Sequence, residues 1–238
     1  MLRVSSVLPI LVMLATSLIP AGEKKADDKS DKKTDAFVSG PQPGTILPGP
    51  FDVFNINGGR AKGRYHCLVC EYGLNPVVLV FTKEPAEGKD AALKDLLKKL
   101  DEAVDNHAAS YLASFVVFLS PDGRSSATED KIEDTDKLVE EATRRQALIT
   151  RLKALAYEDP GTEEKPRYKN VVLSFSPMEG PKRYELNPRA EATILFYEKH
   201  KVLANFSFED GKFTADQVDP VLKVVDGALS AKRRKAKK

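Results

Sequence analysis

The chain alternates between short, densely apolar runs and longer segments with apolar residues at helical spacing, and this pattern sets the expected order of elements. Val77-Val78-Leu79-Val80-Phe81-Thr82 follows the turn signal Asn75-Pro76. A β-branched run of this kind, bounded by a turn, reads as a strand buried on both faces and hence as the centre of a sheet. Next, Leu93, Leu96, Leu97, Leu100, Val104 and His107 recur at helical spacing with Lys and Asp between them, which predicts an amphipathic helix over 90–107. Ser114 to Leu119 is a second buried strand. A strand, a helix and another strand in this arrangement form a βαβ unit, whose strands are parallel.

The pattern repeats once and then changes. A polar stretch, Ser120 to Asp136, leads into a second helix with Leu138, Val139, Ala142, Ile149, Leu152 and Ala156 on its apolar side. A third strand is expected over Asn170 to Phe175. Ala192 to Tyr197 and Val202 to Phe208 flank Glu198-Lys199-His200-Lys201, the signature of a β-hairpin. A closing helix from about Ala215 to Leu229 carries Val218, Leu222, Val225 and Leu229 at helical spacing.

Outside this body the chain is of another kind. Residues 1–21 combine Arg3, the apolar run Val7 to Pro20 and the small residue Ala21, which predicts a cleaved secretory signal peptide. The run is too short, and too interrupted by Pro9, Ser17 and Pro20, for a lasting membrane anchor. Export to a periplasmic or extracellular space is therefore expected. Residues 22–50 read as a flexible linker, first a mixed-charge run and then, from Ser39 to Pro50, four prolines and three glycines. The globular domain is expected over 51–230 and a basic tail over 231–238.

Composition adds little beyond an ordinary globular balance, with 42% hydrophobic and 30% charged residues. Net charge is only +2, and the basic excess gathers in Lys232 to Lys238, so a nucleic-acid-binding surface on the body is not indicated. That terminal run would attract an anionic surface by charge alone. No glycine-rich phosphate loop, nucleophile elbow or metalloprotease helix is present, and no cofactor is expected. The carboxylates Glu129, Asp130, Glu133, Asp134 and Asp136 read as a solvated loop.

The order β, α, β, α, hairpin and helix resembles the thioredoxin-like superfamily over roughly Pro76 to Leu229. The best local match is Ala192 to Val202, which looks like that family's final hairpin. The resemblance implies an α/β fold, a central mixed sheet flanked by helices. It also implies a Cys-x-x-Cys after the central strand and a cis-proline before the hairpin. Here the first place holds Lys83-Glu84-Pro85-Ala86-Glu87-Gly88. The second holds Ala192 before Thr193, with Pro188 four residues earlier.

The only cysteines, Cys67 and Cys70, stand instead before the central strand, within Tyr65-His66-Cys67-Leu68-Val69-Cys70-Glu71-Tyr72. In an exported protein they are expected to form a disulfide. A bridge closing so short a loop adds only about 2 kcal/mol in the chain-entropy account. Three uses stay open: an exchangeable redox pair acting on protein thiols, an inert staple in a non-catalytic binding or scaffold domain, and a metal site built from His66, Cys67 and Cys70. In the redox use Cys67, beside His66, is the expected attacking thiol and Cys70 the resolving one. His107 is expected to cap or edge the core, and His200 to be solvated in the hairpin turn.

Overall fold

The computed structural model describes residues 37–58, 60–85, 88, 90–124 and 134–236. The expected signal peptide and most of the mixed-charge run, as well as Glu129, Asp130 and Glu133, lie outside the described residues.

Seven strands form one sheet in the order β2-β1-β5-β4-β3-β6-β7. They are β1 (Val53–Asn55), β2 (Tyr65–His66), β3 (Val77–Lys83), β4 (Ala113–Leu119), β5 (Val171–Ser176), β6 (Ala190–Glu198) and β7 (Lys201–Glu209). The helices are α1 (Leu68–Tyr72), α2 (Ala91–Asn106), α3 (Thr135–Ala156) and α4 (Val218–Ala236). As expected, β3 and β4 are parallel neighbours, with Val77 opposite Ala113, and β5 joins β4 in parallel. The hairpin β6–β7 is antiparallel in the same sheet, with Leu79 opposite Leu195.

Alternation along the strands divides the core in two. Val78, Val80, Val116 and Phe118 point to one face, which α2, α3 and α4 cover with Leu96, Leu100, Leu148, Leu152, Val221 and Val225. Val77, Leu79, Phe81, Phe115, Val117 and Tyr197 point to the other, covered by Leu68 and Val69 of α1 together with Leu47 and Tyr184. Both faces are buried, so β3 carries an unbroken apolar run.

Beside β1, the Asn57 side chain extends the pairing with β5: its amide donates to the Val171 carbonyl (3.1 Å) and its oxygen accepts from the Leu173 N–H (2.6 Å). Gly58 then turns the chain at φ +94°, where a Cβ would stand 2.9 Å from Val172 Cγ2.

Three expectations change. Residues 37–50, assigned to a flexible linker, are a strap fastened to the hairpin. Ser39 is buried; its carbonyl accepts from Asn205 Nδ2 (2.8 Å) and Ser207 Oγ (3.0 Å), and Leu47 N–H donates to the His200 carbonyl (2.7 Å). The prolines and glycines that suggested a tether set extended backbone and turns here instead. The apolar residues of α3 dock only from Leu148 onward: Ala142 is exposed and Val139 is 61% exposed, and the first half of the helix meets the fold through buried Glu141 and through Arg145 instead. Finally, α4 continues into the basic run as far as Ala236 instead of ending near Leu229.

Helix ends use local side chains. Asp134, placed in the acidic loop by sequence, caps α3 by accepting from the N–H groups of Asp136 and Lys137. Thr214 and Gln217 form a capping box just ahead of α4. No described helix is long and apolar enough to cross a membrane.

Candidate functional site

Cys67 and Cys70 are joined by a disulfide, with Cα atoms 5.3 Å apart. The bridge lies where the chain leaves edge strand β2 and crosses one sheet face to reach central strand β3. Leu68 and Val69 anchor this crossing in the apolar core of that face. Cys67 is the N-cap of α1, and its Sγ accepts the Cys70 N–H at 3.1 Å. It is half-buried and packs against the same core, whereas Cys70 is exposed. Cys70 is thus the more exposed residue of the pair, and Cys67 is the packed one, whose sulfur accepts a backbone N–H.

The contact of the His66 imidazole is with a carboxylate. Its Nε2 lies 2.7 Å from Glu71 Oε2, joining the residue before Cys67 to the residue after Cys70. Tyr72, next along α1, is half-buried, and its phenol pKa is pushed up by burial first and then by the Glu71 charge. Its ring meets Phe115 at 5.9 Å. Among the described residues no three His, Cys, Asp or Glu side chains converge as metal ligands. His107 closes α2 as its C-cap and places Nε2 2.8 Å from Asp226 Oδ1 on α4, the capping position expected of it. His200 lies in the hairpin turn at φ +59°, only half-buried.

The direction and order of the strands decide the fold. Parallel β5, β4 and β3 are followed by antiparallel β6 and β7 and a closing helix. The fold is thioredoxin-like. In a thioredoxin-like sheet the usual redox position is the carboxyl end of the central strand, here Lys83 and Glu84. The Cys67–Cys70 bridge is at the amino end, about 20 Å away along seven residues of β3.

Ion pairs occupy the usual position instead. Arg151 of α3 forms a two-pronged contact with Glu84, one prong at 2.9 Å, and reaches Asp122 Oδ2 at 3.1 Å; Lys83 pairs with Asp210 at 2.7 Å. The Arg151 pKa is raised, chiefly by Glu84. Pro188 stands two residues before β6, which starts at Ala190 and so earlier than expected. It lines a crevice of about 310 Å³ with Phe81, Leu119 and Thr193. No peptide bond among the described residues is cis.

No family model matches the sequence, and no curated protein matches it. Solved structures that resemble the chain include a 2-Cys peroxiredoxin from Plasmodium vivax, with 11% identity, 81% of this chain and 84% of that one covered, and a TM-score of 0.47. They also include the thioredoxin domain of a thiol-disulfide oxidoreductase from Bacteroides vulgatus (8% identity, 77% and 97% covered, TM-score 0.40). Yeast Sco1 resembles it at 11% identity, with 75% and 94% covered and a TM-score of 0.38. Likenesses at this level transfer no active site.

The sequence marked the cysteines and His66 but missed the partnership of His66 with Glu71. The available signal was the placement of an acid directly after the second cysteine, one helical turn beyond the first.

Proposed function

We propose that the chain is an exported thioredoxin-like protein, freed of a signal over residues 1–21, that exchanges the Cys67–Cys70 disulfide with protein thiols. The observation that carries this reading is the asymmetry of the bridge: Cys70 is exposed, and the Cys67 sulfur holds a hydrogen bond from the Cys70 N–H. A partner thiolate attacks Cys70 Sγ, the Cys67–Cys70 bond breaks, and its electron pair stays on Cys67 Sγ. A hydrogen bond to that sulfur stabilises the leaving thiolate, and a better leaving thiolate departs faster. A second partner thiolate then attacks the partner sulfur of the mixed disulfide and releases Cys70. The partner dithiol is oxidised, and the protein gains two electrons and, after protonation, two thiols. The basic run at the end of α4 adds attraction to an anionic surface.

The test is the reduction potential of the purified protein together with trapping variants. An exchange protein falls at about −120 to −270 mV, and Cys67→Ser holds a mixed disulfide at Cys70 whereas Cys70→Ser accumulates far less. The second reading, a non-catalytic scaffold with an inert staple, is favoured by the ion pairs that fill the usual redox position. A potential below about −300 mV, with neither thiol open to alkylation in the folded protein, selects it and removes the first.

A further inference from the structure

We propose that Glu71, held by His66, is a positioning residue that sets the redox equilibrium of the Cys67–Cys70 pair through its charge; this rests on the exchange reading above. Glu71 N–H donates to the Cys67 carbonyl at 3.0 Å, so the two residues stand one helical turn apart, the spacing at which side chains become neighbours. The His66 contact at 2.7 Å fixes the carboxylate against the loop that contains the sulfurs. Beside it, the half-buried Tyr72 phenol has its pKa raised by burial first and then by the Glu71 charge.

The consequence differs between the two redox states. In the disulfide both sulfurs are neutral, and the carboxylate has no charge to act on. In the bridge the Cys67 sulfur accepts the Cys70 N–H; the same contact in the dithiol would favour a Cys67 thiolate, and a carboxylate one turn away opposes it. Glu71 therefore favours the bridged form and holds the thiolate fraction of Cys67 down. His66 moderates the effect through its 2.7 Å contact with the same carboxylate.

The experiment equilibrates the purified protein, Glu71→Gln and Glu71→Asp with glutathione redox buffers. It also follows alkylation of Cys67 against pH in a Cys70→Ser background. Gln keeps an acceptor for His66 and removes the charge; Asp keeps the charge. The expected result is a shift of about threefold toward the dithiol in Glu71→Gln, equal to about 14 mV at 29.6 mV per tenfold change, with alkylation of Cys67 moving to lower pH. Glu71→Asp stays close to the parent protein in both measurements. An unchanged equilibrium in Glu71→Gln, or equal shifts in the Gln and Asp variants, overturns the proposal while leaving exchange itself intact. An inert bridge in the parent protein removes both.

Discussion

The guanidinium carbon of Arg145 stands 5.2 Å from the ring centre of Tyr65, tying α3 to the strand that runs into the disulfide loop. The same group lies 5.1 Å from Phe54 and 5.8 Å from Phe175, so three rings from three strands share one cation. A desolvated cation over an aromatic face contributes about 2 kcal/mol. Arg145→Met is expected to lower stability by about 1–2 kcal/mol, and Arg145→Lys by a comparable amount because an ammonium lacks the flat stacking surface. Urea unfolding reads this as a lower midpoint at unchanged slope. A midpoint within error of the parent in both variants would show that the rings need no cation.

The Arg151 contacts with Glu84 and Asp122 are more exposed, with Arg151 at 47%, and such pairs contribute little. Glu84→Gln or Asp122→Asn should cost below about 1 kcal/mol, and less in high salt. Neither change should move the Cys67–Cys70 equilibrium, since the two ends of β3 are about 20 Å apart. A shift in redox equilibrium on Glu84→Gln would place the usual family position back in the chemistry.

Glu163 ties Lys62, in the loop between β1 and β2, to Lys153 on α3, at 2.7 and 2.5 Å. Its carboxyl pKa is lowered, first by Lys153 and then by Lys62. A depressed carboxyl contributes stability that is complete above the unfolded value, about 4.3, and is lost as pH falls through the lower folded value. Acid unfolding of Glu163→Gln should therefore lack part of the decline seen in the parent below about pH 4. Superimposable acid limbs would show that the two lysines do not stabilise this carboxylate.

At the alkaline end the sign is opposite. Burial raises the phenol pKa of Tyr72, Tyr184 and Tyr197, so the folded state holds these protons more tightly than the unfolded chain. Stability is complete below about pH 10, the unfolded value, and falls as pH rises toward the folded values. Spectroscopic titration should show the phenolates of these three tyrosines emerging together with unfolding. Smooth ionisation of all seven tyrosines in protein that keeps its near-UV circular dichroism would contradict this.

The strands that could be read from sequence are those whose patterns admit one interpretation. Val77 to Thr82 is apolar at every position except its last because β3 is covered on both sides, and the hairpin announces itself by two apolar runs around a charged turn. Strands β1 and β2, of three and two residues, are too short to show a period. Helical spacing located α3 but not the point where it meets the sheet, because Val139 satisfies the period without being buried. The strap was hidden for another reason: Ser39 and Leu47 are single buried residues in a turn-rich stretch, and their partners lie more than 140 positions away. At the candidate site the Cys-x-x-Cys motif was plain. Which sulfur is accessible depends on how α1 packs, and no spacing rule states that.

The strap also bears on how copies of this protein behave at high concentration. A sheet ends in strands with unpaired backbone groups, and such an edge invites another chain to extend it. On β7 the outward N–H of Val202 is taken by the Thr45 carbonyl and its outward carbonyl by the Gly44 N–H, at 2.9 and 2.8 Å, while Asn205 and Ser207 hold Ser39 and Pro41. The chain thus occupies its own most vulnerable border, and a form shortened to begin at Phe51 would leave that border open to fibrillar self-association.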